Sequence, residues 1–272
     1  MKNLTLRKNI PTLDFKKSKL SRKDINTINK FKSLVINNGD DGLREISKIL
    51  KEKSLNSFKV TKSEFKKADQ LLNDDIKNAI LIAYANIKKY HEKQLEGLSI
   101  KNIETTKGVK LWSEFKPIDV VGLYIPGGTA PLFSSLLMQA IPAIIAGCNN
   151  IVVCTPPNKS GNIDPAILWV ASLLNIKNIY KVGGSQAIFA MAYGTKSIPK
   201  CLKIFGPGNQ YVTEAKILVS KDVSIDMPAG PSEVYVVSND ENKLDIIASD
   251  LLSQLEHSKD AKAVLISQNK SV

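Results

Sequence analysis

The sequence predicts an α/β protein, with helices alone over its first third and apolar strands alternating with helices after that. Three observations carry this. Between residues 21 and 96 apolar side chains recur at helical spacing beneath clear capping signals. Near Gly97 the period shortens to strand-like runs. From Tyr124 onward, loops bearing glycine or proline separate strands from helices in regular alternation. That last pattern predicts a parallel sheet with right-handed crossovers.

In the helical segment, Ser21 and Asp24 are placed to cap a helix through Phe31 and Ile36, and Asp40-Asp41 to open another through Ile46 and Leu50. Thr61-Lys62-Ser63-Glu64 has capping-box spacing. Asn73-Asp74-Asp75 starts the longest helix, with Ile76, Ile80, Ala83, Ile87 and Tyr90 on its buried side. His91 stands among lysines near its end and reads as part of a solvated helix terminus.

Strands are expected at 103–106, 109–115 and 120–124, the first two joined around Lys107-Gly108. Helices at 132–146, 165–174, 185–193 and 210–220 then alternate with strands at 151–154, 179–182, 201–205 and 223–225. Residues 124–232 thus form one doubly wound unit. A strand at 233–237, a helix at 244–257 and a strand at 261–266 repeat the theme, with Asn239 or Asp240 as cap. Leu244, Ile247, Leu251 and Leu255 are its expected buried stripe. This last unit lacks a return helix, so one strand face stays uncovered unless something else covers it or the chain is a fragment.

Composition excludes several classes. With 43% hydrophobic and 24% charged residues in 272, the chain reads as an ordinary globular protein of one large or two smaller domains. The start is polar and basic, unlike a signal peptide, and the longest apolar run is too short and interrupted to span a bilayer. A cytoplasmic protein without a membrane partner is expected. The net charge of +12 is nearly all lysine interleaved with acids, and only Arg7, Arg22 and Arg44 could supply a guanidinium fork. Solvated helix faces explain this charge better than nucleic-acid binding does. Cys148, Cys154 and Cys201 are odd in number and not in zinc-knuckle spacing, so they read as reduced core thiols.

The chemistry is expected at the carboxyl edge of the sheet. Three loops fall there: Pro126-Gly127-Gly128, Gly183-Gly184-Ser185-Gln186 and Gly206-Pro207-Gly208-Asn209. Ligands of open α/β sheets bind at that edge, glycine admits close backbone approach, and helix N-termini offer N–H groups to anions. No dinucleotide fingerprint and no Walker loop is present. Tyr124, Gln186 and Asn209 are the polar side chains there that can meet a sugar hydroxyl or an amide, while Tyr211 and Glu214 read equally as packing and cap residues. After the turn Ile225-Asp226-Met227-Pro228-Ala229-Gly230-Pro231-Ser232, Gln254 and His257 lie three apart on one helix flank. They are half of a metal site or a satisfied polar pair, with Asp250 one turn earlier as rival or supporting partner.

Several stretches stand in order and register. They are Gly122-Leu123-Tyr124-Ile125-Pro126-Gly127-Gly128, Val182-Gly183-Gly184-Ser185-Gln186-Ala187, Phe205-Gly206-Pro207-Gly208-Asn209 with Val212-Thr213-Glu214-Ala215-Lys216, residues 226–233, and Ser249-Asp250-Leu251-Leu252-Ser253-Gln254-Leu255-Glu256-His257. Together they resemble the histidinol dehydrogenase family, weakly through the N-terminal helices and closely from about Lys101. The resemblance implies zinc-dependent oxidation of L-histidinol, through the aldehyde, to L-histidine with two NAD⁺ reduced. It implies NAD contacts at Tyr124, Gln186 and Asn209, substrate contacts at Ser232, Gln254 and His257, and zinc on Gln254 and His257. It implies a homodimer of two Rossmann-like domains, the second inserted into the first. Here that divides the chain into 1–123, the inserted 124–232, and 233–272 returning to an incomplete first domain. The family's Glu-His acid/base pair, an Asp and a His that complete the zinc site, and its tail would lie beyond Val272. The chain by itself is therefore expected to keep the dinucleotide crevice and to lack normal activity.

Overall fold

The computed structural model describes residues 20–96, 98, 102–127, 132–228, 232–255 and 261–271. Helix α1 spans Arg22–Ile49 and opens on a reciprocal cap. The Ser21 hydroxyl accepts the Asp24 N–H at 3.2 Å, and the Asp24 carboxylate accepts the Ser21 N–H at 3.1 Å. The helix expected to open at Asp40 is the second limb of α1, which bends at Gly39 (φ 53°, ψ −123°). Asp40 is not its cap. Its carboxylate accepts the Ser197 hydroxyl at 2.6 Å and the Ser197 N–H at 3.2 Å, so glycine alone makes the turn.

Helix α2 (Lys62–Leu71) carries the expected capping box between Thr61 and Glu64. Burial would raise the Glu64 carboxyl, but hydrogen bonds from the Lys181 ammonium and from Thr61 outweigh it and hold it below the usual carboxylate range. Helix α3 (Asp74–Glu96) begins where the Asn73 side chain accepts the Ile76 N–H at 2.9 Å. Its stripe is narrower than expected: Ile80 is buried, whereas Ile76 and Tyr90 are exposed. The helix lies chiefly along one neighbour, α4, which covers only a thin strip of it. His91 shares a 2.7 Å hydrogen bond with Gln94, one turn on.

Strands β1 (Ile103–Thr106) and β2 (Val109–Leu111) form a hairpin around Gly108. The second strand, expected to reach residue 115, stops at Leu111 because its partner Ile103 is the first residue of β1.

The main sheet holds β3 (Val120–Tyr124), β4 (Asn150–Cys154), β5 (Asn178–Tyr180), β6 (Lys203–Phe205) and β7 (Ser224–Ile225). All five run parallel in the order β5-β4-β3-β6-β7, which puts β3 at the centre. Helices α4 (Phe133–Ile145), α5 (Pro165–Leu173), α6 (Gly184–Tyr193) and α7 (Gln210–Val219) connect them. The period-2 alternation of the strands feeds two cores. Val121, Leu123 and Val153 join α2, α3, α4 and α5 on one face. Tyr124, Val152 and Cys154 join α1, α6 and α7 on the other. The N-terminal helices are thus part of both cores, with α1 against α6, α2 against α5 and α3 against α4.

Strands β8 (Glu233–Val237) and β9 (Lys262–Ile266) pair in parallel, linked by α8 (Leu244–Leu255). Asp240 caps the short 3₁₀ turn ahead of α8 through the Asn242 N–H. The buried stripe expected on α8 reduces to Ile247, 6% exposed, with Leu244 and Leu255 at 43% and 44%. A two-stranded sheet covers only the middle of a helix face. No described helix is long and apolar enough to cross a membrane. The three thiols are free and buried. Burial pushes the Cys201 thiol up to about 12 and Cys154 well above its ordinary value, so both stay protonated.

Candidate dinucleotide site at the carboxyl edge

The five parallel strands end at one edge, where the ends of β3, β4, β5 and β6 and the loops after them interlock. Tyr124, the last residue of the central strand, is 4% exposed. Its hydroxyl accepts the Gly184 N–H at 3.0 Å, across a separation of 60 residues. Burial pushes the phenol up to about 12 against that hydrogen bond, with Cys154 and Glu52 adding to the rise. The phenol therefore keeps its proton, which can be donated to a further acceptor.

Gln186 lies in the first turn of α6, also 4% exposed. Its side chain turns back over Gly184: a Cβ on that glycine would stand 2.8 Å from the Gln186 Oε1. The structure therefore gathers Tyr124 and Gln186 around a single residue, Gly184. The N-cap of α6 is Gly183, which offers no side-chain cap. The first N–H of α6, that of Gly184, goes to Tyr124, and a helix N-terminus with no cap from its own N-cap residue, beside two neutral polar side chains, is suited to the phosphates and hydroxyls of a dinucleotide.

Asn209 plays a different structural part from the one its loop suggested. Its side-chain oxygen accepts the Tyr211 and Val212 N–H groups, both at 3.1 Å, so it caps α7. The N-terminus of α7 is thereby satisfied, and the expectation that every helix behind these loops offers free donors is corrected for this one. The Asn209 side-chain NH₂ remains on an exposed residue. Tyr211 serves packing, as its hydroxyl donates to Asp24 at 3.0 Å and ties α7 to α1.

Loop packing also demands the glycines. A Cβ on Gly206 would fall 2.2 Å from the Tyr124 carbonyl oxygen, and one on Gly183 would fall 2.4 Å from the Pro156 Cβ. These close approaches are within the protein, to the end of β3 and to the loop after β4, where the sequence suggested approach to a ligand. Pro156 follows β4 and brings in a fourth loop that sequence reasoning missed, for want of a polar side chain. Gln139 on α4 was missed too. Its amide donates weakly to the Tyr124 carbonyl at 3.4 Å, while its Oε1 is buried without a partner among the described residues. Lys216 and Asp226 also went unnoticed as a pair. Lys216 is 5% exposed, pairs with Asp226 and donates to the Gly206 carbonyl at 2.9 Å.

The second group of residues sits on the β8–β9 unit. Ser232, exposed, precedes β8, and Gln254, half-buried, is in the last turn of α8. Because α8 runs back against two parallel strands, both residues belong to the amino end of this unit. His257 lies outside the described residues. Asp250 is exposed on α8. Among the described residues no three His, Cys, Asp or Glu side chains form a metal-holding group. Gln254 by itself offers one amide oxygen, which does not make a metal site.

A sequence profile of histidinol dehydrogenase matches residues 16–272. The chain belongs to the histidinol dehydrogenase family. The histidinol dehydrogenase of Bacteroides thetaiotaomicron is 52% identical over 235 residues, covering 86% of this chain and 54% of that protein. The Pasteurella multocida protein of the same name is 47% identical over 240 residues, or 88% of this chain and 55% of its own. The crystal structure of histidinol dehydrogenase from Elizabethkingia anophelis superposes with a TM-score of 0.87 at 46% identity, covering 93% of this chain and 58% of that one. The chain thus spans about half the length of the curated histidinol dehydrogenases it matches.

Replacing Tyr124 by phenylalanine removes the acceptor of the Gly184 N–H and leaves a part-buried donor unpaired. A loss of about 1–3 kcal/mol is expected in urea unfolding. A change below about 0.3 kcal/mol would show that water replaces the hydroxyl without cost.

Proposed function

We propose that the chain carries the dinucleotide-binding part of a histidinol dehydrogenase that oxidises L-histidinol, through the aldehyde, to L-histidine with two NAD⁺ reduced. The observation that carries this is the cluster of Tyr124 and Gln186 on Gly184 beside the uncapped start of α6, in a chain of this family. When bound, NAD⁺ supplies the hydride acceptor. The residues of this chain bind and orient it. The Tyr124 hydroxyl and the Gln186 amide meet ribose or nicotinamide groups, the α6 N-terminus faces a phosphate, and Asn209 adds its side-chain NH₂ while capping α7.

Ser232, Gln254 and His257 are assigned to L-histidinol. Gln254 and His257 are also assigned to zinc, with the other two ligands and the acid/base pair supplied from beyond Val272. The described residues do not themselves make a metal site, and no step is assigned to the ion. In this reading 124–232 is the domain inserted between 1–123 and 233–272, and the working enzyme is a cytoplasmic homodimer. A second reading keeps the same crevice without turnover: a non-catalytic dinucleotide-binding fragment, or one half of a split enzyme.

Calorimetric titration of the 272-residue chain with NAD⁺ tests the shared part of both readings. Saturation in the micromolar to millimolar range is expected. Absence of saturable binding up to several millimolar would remove the dinucleotide assignment.

A further inference from the structure

Lys216 is a buried ammonium in the interior of α7, where an apolar side chain would pack without losing hydration. Its Nζ pairs with the Asp226 carboxylate and donates to the Gly206 carbonyl at 2.9 Å. The other oxygen of Asp226 accepts the Gly206 N–H at 2.9 Å. Both backbone polar groups of Gly206 are therefore held by one ion pair. Asp226 is held in turn, its N–H donating at 3.1 Å to the carbonyl of Ile204 within β6.

Gly206 begins the loop that ends at Asn209, and that residue is fixed as the cap of α7. The loop is thus anchored at its first residue by the ion pair and at its last by the cap. Gly206 also lies against the Tyr124 carbonyl, so displacing it would move the end of the central strand. Asp226 has a second neighbour along the chain: the segment after it, with Met227 84% exposed, leads towards Ser232 and β8.

We infer that Lys216 and Asp226 are positioning residues for the dinucleotide: their ion pair, closed through both backbone groups of Gly206, holds loop 206–209 in its binding shape at the root of the segment leading to Ser232. This rests on the reading of the carboxyl edge as the dinucleotide crevice. Neither side chain touches the cofactor in this account. They act through Gly206 and Asn209. A loop held in its bound shape does not have to be ordered when the ligand arrives, and that ordering would otherwise subtract from affinity.

The test compares the 272-residue chain with D226N and with the double variant K216M/D226N. D226N leaves a buried ammonium without its counter-charge and can fail to fold. The double variant removes both charges, and the amide oxygen that replaces the carboxylate still offers an acceptor to the Gly206 N–H. NAD⁺ affinity by calorimetry, hydrogen exchange of the Gly206, Gly208, Asn209 and Gln210 amides, and the melting temperature are read together. The double variant is expected to fold, to bind NAD⁺ at least tenfold more weakly, and to exchange those amides at least tenfold faster while the β3 amides keep their protection. A purely structural pair would move the melting temperature without this localised change. A folded double variant with NAD⁺ affinity within twofold of the parent and unchanged exchange at those amides overturns the clamp alone. A parent chain that does not bind NAD⁺ overturns the dinucleotide reading, and the positioning role with it.

Discussion

Alanine at Gly206 is expected to destabilise the protein by about 2–4 kcal/mol and to move its melting temperature down by roughly 4–7 °C. Two costs combine. The residue sits at φ +132°, a conformation that side chains rarely adopt, and its new Cβ would stand 2.2 Å from the Tyr124 carbonyl oxygen. The atom in the way is backbone, at the end of a strand paired on both sides, and no rotamer change relieves it. The loop could move only by breaking the two bonds that Asp226 and Lys216 make to Gly206. Denaturant unfolding measures the cost. A change under about 0.5 kcal/mol, the scale of an ordinary surface substitution, would mean that the β3 and β6 ends separate easily.

The second large effect is on turnover. The 272-residue chain is expected to form NADH from L-histidinol at least about a hundredfold more slowly than a histidinol dehydrogenase of full family length. A positioned acid/base pair contributes about that much or more. In the proposed reading the pair lies beyond Val272, and Gln254 and His257 offer only part of a zinc coordination shell. Adding the C-terminal portion of a relative as a second chain should restore NADH formation. Clear turnover by the purified 272-residue chain would defeat the assignment of the acid/base pair. Failure of restoration, with NAD⁺ binding intact, would favour the non-catalytic reading.

Much of the architecture is written in short-range signals. The reciprocal caps at Ser21 and Thr61 involve partners three residues apart, so spacing alone identifies them. The alternation of strand and helix after Val120 follows from periodicity, and it puts the glycine loops at one edge before any contact is known. Tyr124 and Gln186 were legible for the same reason: they are the polar residues at strand and helix ends on that edge. The stripe on α8 was misjudged because periodicity reports which face is apolar, not how wide a neighbour covers it. The capping role of Asn209 was not read from the sequence, because a cap and a ligand contact call for the same side chain at the same place.

The amino-acid order determined by itself which stretches are helix or strand, and that the glycine loops stand at the sheet's carboxyl edge. These depend on backbone geometry and neighbours within one helical turn. Only the tertiary structure decided that β3 lies centrally, that the N-terminal helices complete both cores, and that Gly206 is gripped by Lys216 and Asp226. Those contacts join residues far apart in the chain, as the 60-residue step from Tyr124 to Gly184 does, and no local spacing encodes them. A buried ion pair forms only when the fold has brought both charges out of water together.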